Sequence, residues 1–134
     1  MIDGVSALIA VMHADAGLTA LVPTARIMSG VLPKGTRLPA IALDGISTVE
    51  RGTLSHEPTG HVAERVQATV LAATYREVRA IIKALRRLDH AMPADDAISH
   101  VVVRIDGAGP DFMDEDSQIH GKTQDFRVSY TEAR

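Results

Sequence analysis

Apolar and polar residues alternate from His61 to Ala73. Val62, Glu64, Val66, Ala68, Val70 and Ala72 share one face of an extended segment, and Ala63, Arg65, Gln67, Thr69 and Leu71 share the other. After Thr74 the period lengthens. Val78, Ile81, Ile82, Leu85, Leu88 and Met92 follow helical spacing, with Arg76, Arg79, Lys83, Arg86, Arg87 and His90 opposite them. The run Thr74-Tyr-Arg-Glu77 places a hydroxyl where it accepts from the N–H three residues on and a carboxylate where it reaches back, a capping box. The pattern predicts a strand to Ala73 and a helix to Met92, stopped by Pro93.

Upstream, Asp3 is placed to cap a helix with apolar positions Val5, Leu8, Ile9 and Met12. Asp15 is placed to cap a short turn carrying Leu18, Leu21 and Val22, closed by Pro23. Arg26 to Met28 reads as a short strand, followed by an irregular connection through Gly30, Pro33, Gly35 and Pro39. Ile41 to Val49 reads as one strand bent by a bulge at Asp44-Gly45, and Glu50 to Gly60 as an exposed polar loop. Ile98 to Asp106 alternates with Val101, Val103 and Ile105 on one face. Gly107 to Gly121, which carries the acidic run Asp114-Glu115-Asp116, reads as a second solvated loop. The closing strand, Lys122 to Thr131, turns Phe126, Val128 and Tyr130 inward. This order predicts an α+β fold, a mostly antiparallel β-sheet with two α-helices packed on one face, in a single domain spanning 1–134.

Composition narrows the function classes. The chain has 134 residues and no cysteine, so a disulfide framework and thiolate chemistry are both excluded. Its N-terminal residues lack a basic leader with an apolar core, and no apolar run approaches the roughly 20 residues of a membrane span, so export by that route and membrane insertion are not expected. A net charge of −3 gives no field for nucleic acid, and no direct sequence-specific nucleic-acid binding is expected. Tyr75, Phe112, Phe126 and Tyr130 are the whole aromatic complement, too few for a base-stacking platform. A core of small side chains with so few bulky anchors points to completion of the buried surface by self-association.

Candidate chemistry is sparse. His13, His56, His61, His90, His100 and His120 are scattered, and His56, Glu57 and His61 make only a weak ligand set within one loop. Asp111, Asp114, Glu115 and Asp116 lack the alternating spacing and closing Glu of a calcium loop. No Gly-x-Ser-x-Gly elbow occurs, and the glycines fall in connections rather than in a phosphate-cradling loop. No catalytic, cofactor-binding or metal-binding residue is assigned, and the chain is not expected to be an enzyme. Along the predicted second helix, Arg76, Arg79, Lys83, Arg86 and Arg87 form a cationic stripe. A solvated helix face is the ordinary reading of such a stripe. The sharper one pairs Arg76, Arg79, Lys83 and Arg86 with Asp114, Glu115 and Asp116 of a neighbouring copy, a heterologous contact that closes into a ring.

Three further stretches support a comparison with a known family. They are Asp15-Ala-Gly-Leu-Thr-Ala-Leu-Val22 with Arg26-Ile27, Gly30-Val-Leu-Pro33-Lys-Gly35 with Leu38-Pro39, and Asp125-Phe-Arg-Val-Ser-Tyr130. Together with the central block Val66 to Leu88, they make the chain resemble the tail-completion or tail-terminator proteins of long-tailed bacteriophages and gene transfer agents. The resemblance covers nearly the whole chain. It departs from the family pattern at Ala40-Ile-Ala-Leu43 and at Leu71, where family members often carry aromatics. It implies a non-enzymatic virion protein at the head–tail joint, assembled in the bacterial cytoplasm, that forms a homo-oligomeric, six-fold ring on the tail tube and ends tube polymerisation. The implied partners are the tail tube protein and a head-completion or neck protein, with no membrane. The candidate contact segment is the Glu50–Gly60 loop, with Arg51, Thr53, Leu54, His56, Glu57 and His61, since exposed loops on a rigid sheet commonly carry binding; a flexible hairpin connection is its ordinary reading. A head-completion adaptor on the portal side is the alternative, and a small ligand-binding α+β domain a more distant one.

Overall fold

The computed structural model describes residues 3–33, 35–51, 59–93 and 98–133. Helix α1 (Gly4–Ala14) begins at its predicted cap, with the Asp3 carboxylate accepting from the Ser6 N–H at 2.9 Å. Helix α2 (Ala16–Thr19) is a single turn, and Asp15 Oδ2 accepts from the Leu18 N–H at 2.9 Å. A 3-10 turn over Thr24–Arg26 leads into strand β1 (Ile27–Ser29). Strands β2 (Ala40–Arg51) and β3 (Thr59–Ala72) follow, then helix α3 (Tyr75–Arg86) and strands β4 (Ile98–Ala108), β5 (Phe112–Asp114) and β6 (Ile119–Ala133).

The sheet order is β1-β2-β3-β6-β4, with β5 also paired to β6. Only β1–β2 is parallel among the described pairs. Helices α1 and α3 cover one face, where Leu8, Met12, Ile81 and Leu85 meet Ile41, Val66, Val103 and Phe126 in one core. The two-residue period holds throughout β3: Val62, Val66, Ala68, Val70 and Ala72 are buried, and Ala63, Arg65, Gln67, Thr69 and Leu71 are not. The bulge in β2 is also present, as a register shift between Gly45 and Ser47.

Glu64 lies on the buried face and is 8% exposed. The Tyr130 hydroxyl donates to its Oε1 at 2.6 Å, and burial, then this bond, pushes the phenol well above its usual range, so it stays a donor. The N-terminus of α1 arrives at the same place, where a Cβ on Gly4 would stand 2.5 Å from Glu64 Oε2. A carboxylate is favoured at a helix N-terminus.

Three boundaries differ from the sequence expectation. Helix α3 ends at Arg86 rather than Met92, because the chain leaves helical geometry to bond the edge of β4. His90 takes φ 71°, its N–H donates to the Val103 carbonyl at 2.7 Å, and the Val103 N–H donates to Ala91 at 2.9 Å. Leu88 still packs in the core, but Met92 is 73% exposed. The Glu50–Gly60 segment is not all loop, since β2 and β3 pair as far as Arg51 and His61, and Thr59 and Gly60 belong to β3. The Gly107–Gly121 segment contains a hairpin: β5 pairs with the start of β6 around a turn at 115–118, so β6 begins at Ile119 instead of Lys122.

At the start of α3, Thr74 Oγ1 accepts from the Glu77 N–H at 3.2 Å. Thr74→Ala is expected to lower stability by about 1 kcal/mol, the usual cost of a lost N-cap. Urea denaturation with an unchanged m-value checks this.

Candidate functional site

Helix α3 sits on the sheet by Val78, Ile81, Ile82 and Leu85. With 3.6 residues per turn, that seating turns Arg76, Arg79, Lys83 and Arg86 outward. All four are exposed, and none makes an ion pair among the described residues. Arg87 departs from the predicted stripe. Its guanidinium lies 3.6 Å from Asp15, tying the end of α3 to the cap of α2.

An open cleft of about 480 Å³ runs along this helix, between Arg79, Lys83 and Arg86 on one side and Asp111 and Lys122 on the other. Tyr75 stands at its end. The Tyr75 hydroxyl donates to Asp111 Oδ2 at 2.7 Å, Lys122 Nζ lies 3.4 Å from Asp111 Oδ1, and the Arg79 guanidinium lies 5.6 Å from the Tyr75 ring centre. The Tyr75 hydrogen bond, followed by Lys122, holds the Asp111 carboxyl below its usual range. A depressed carboxylate contributes at neutral pH and is lost only as pH falls through that lowered value, so this contact is complete under physiological conditions.

Asp114 ends β5, and Glu115 and Asp116 form the adjoining turn. The Asp116 N–H donates to Asp114 Oδ1 at 3.0 Å, and the Gln118 N–H donates to the Asp114 carbonyl at 2.8 Å. The turn is exposed, and its three carboxylates make no ion pair among the described residues. It therefore presents an acidic tip from a braced hairpin. The hairpin lies at the N-terminal end of α3, where the Tyr75 and His120 rings meet edge-on with centres 6.5 Å apart.

Sequence reasoning grouped Asp111 with the acidic run; the structure separates it and gives it to Tyr75 and Lys122. Those contacts join residues far apart in the chain and carry no local signal. Of the predicted partner-binding residues, Thr53, Leu54, His56 and Glu57 lie outside the described residues. Arg51 ends β2, directly across from His61 in β3, and His61 is exposed. The helix-free face of the sheet carries a charge network: Arg65 is 2.6 Å from Asp125 and 3.9 Å from Asp106, and Arg127 is 3.6 Å from Asp106.

Comparison with known proteins bears on this arrangement. The family described as tail completion protein gp17 matches the chain over residues 6–131. No curated protein matches it in sequence. Among solved structures it is similar to a chain from the virion of a native gene transfer agent particle, with a TM-score of 0.72 at 17% identity. That match covers 95% of this chain and 93% of the other, and at such identity the likeness is one of fold.

Proposed function

Since the chain belongs to the tail completion protein gp17 family, we propose that it is a structural protein of the virion tail that caps the tail tube as a six-fold ring, ends tube polymerisation and joins the tail to the head. The family match across nearly the whole chain carries this reading. The surface supports it, because each copy leaves a cationic helix face and an acidic turn unpaired among its described residues. Two different patches of opposite sign give a heterologous contact, and a heterologous contact closes into a ring when its rotation divides the circle. Arg76, Arg79, Lys83 and Arg86 of one copy face Asp114, Glu115 and Asp116 of the next. The β2–β3 end, from Arg51 and His61 outward, is the segment that meets the tube. Function here is assembly rather than catalysis.

Electron microscopy of particles from the encoding element, with this gene deleted, tests the reading. Overlong tubes lying apart from filled, tailless heads are the expected result. Tails of normal length beside heads that leak DNA would instead assign the chain to the portal side, and normal joined particles would exclude both.

A further inference from the structure

The cleft beside α3 already holds a carboxylate. Asp111 sits between the Tyr75 hydroxyl, which donates to its Oδ2 at 2.7 Å, and Lys122 Nζ, 3.4 Å from its Oδ1. Lys122 belongs to β6, and its side chain is only 23% exposed, so the sheet holds this cation more closely than α3 holds the exposed Arg79, Lys83 and Arg86. Those three face the cleft from the helix and make no ion pair among the described residues. Four cations and one carboxylate therefore line the cleft, and a cleft so unbalanced concentrates anions. At about 480 Å³, against about 30 Å³ for a molecule of liquid water, it has room for further side chains beside Asp111.

The placement of Asp111 along the chain gives this arrangement its meaning. Asp111 directly precedes β5, and the acidic turn begins where β5 ends, at Asp114. One hairpin thus lodges a carboxylate in its own chain's cleft and holds three more, on Asp114, Glu115 and Asp116, clear of any ion pair among the described residues. The seated carboxylate shows what the cleft accepts, and the exposed ones are of the same chemistry.

We propose that Asp111 is a built-in competitor in the contact between copies: it occupies, on Lys122 and the Tyr75 hydroxyl, the place that a carboxylate of the neighbouring copy's acidic turn takes. A competitor carried by the same chain acts at a high effective concentration, and its charge repels the incoming turn whether or not it leaves its seat. The contact is thereby held below its full strength, and Lys122 joins the helix cations that receive the turn. The proposal rests on the ring contact described above and adds to it a restraint.

Sedimentation velocity of the full chain, over concentration and salt series, tests it with Asp111→Asn and Lys122→Gln. Asparagine keeps an acceptor for the Tyr75 hydroxyl and removes the charge. Asp111→Asn is expected to tighten self-association about fivefold and to steepen its salt dependence, and Lys122→Gln to weaken it by about the same factor, the upper worth of one exposed charge pair. Melting temperatures are expected to stay unchanged. The opposite signs decide the matter, because if Asp111 merely braced the hairpin, both variants would break the same clamp and both would weaken association. An Asp111→Asn chain that associates no better than wild type overturns the proposal, as does a Lys122→Gln chain that associates equally well. Wild-type chain that is monomeric while Asp111→Asn associates supports it. If neither associates at any salt concentration, the ring contact itself is overturned, and the proposal falls with it.

Discussion

Replacing Phe126 with alanine is expected to cost about 3–5 kcal/mol, the range for deleting a buried phenylalanine ring where the surroundings collapse only in part. Phe126 is fully buried on β6, paired with Val66 on β3 and Ile105 on β4, in the core that Leu8, Met12, Ile81 and Leu85 close from the helix side. It is the one phenylalanine in the core, since Phe112 is 44% exposed on the β5 hairpin. The other buried ring, Tyr130, is held in its own place by its bond to Glu64. Domains of this size are stable by about 5–15 kcal/mol, so the loss is a large share of the total. Urea denaturation of the variant measures it. A cost below about 1 kcal/mol would mean that β6 is not an inner strand of a packed core.

Arg79→Glu combined with Lys83→Glu is expected to abolish ring assembly while leaving the fold intact. Both side chains are exposed and make no ion pair among the described residues, so the folded chain loses only the exposed contact of Arg79 with the Tyr75 ring, about 0.5–1 kcal/mol. The reversal leaves the four-residue stripe electrically neutral and, in the proposed ring, places new carboxylates opposite the acidic turn of the neighbouring copy. Like charges brought together at an interface cost several kcal/mol, enough to weaken association more than tenfold. Sedimentation velocity across a salt series is the measurement. Wild-type assembly should weaken as salt rises, because exposed charges are screened within about 10 Å at 0.1 M ionic strength. Adding Glu115→Lys and Asp116→Lys to the reversed chain should restore assembly. If the double reversal leaves both assembly and its salt dependence unchanged, α3 does not face the acidic turn of a neighbour.

These two expectations differ in how far each was legible in the sequence. The inward row Phe126, Val128 and Tyr130 was readable from alternation alone, because a strand repeats every two residues and one buried face imposes that period. The cationic stripe was readable in the same way from the helical period. The loss of Arg87 from that stripe was not, because its partner Asp15 belongs to a helix laid against α3 only in the folded chain. The cleft was also hidden. Its organising residue, Asp111, follows Gly-Ala-Gly-Pro and looks like ordinary loop composition. The β5 hairpin was hidden for a related reason: Phe112 to Asp114 has no apolar alternation, and it is a strand only because β6 lies beside it.

The sequence by itself determined where the helices and every strand but β5 form, which faces they bury, where α1 and α3 begin, and where β2 bulges. Periodicity and capping are local, and they act within about one turn or a few residues of chain. Tertiary structure alone decided the order β1-β2-β3-β6-β4, the end of α3 at Arg86, the pairing of Glu64 with Tyr130, and the bonding of His90 and Ala91 to the edge of β4. Each of these joins groups that meet only after the chain has closed its loops. Their energies come from burial and from backbone groups that must find partners somewhere, and those partners lie far outside any window of sequence.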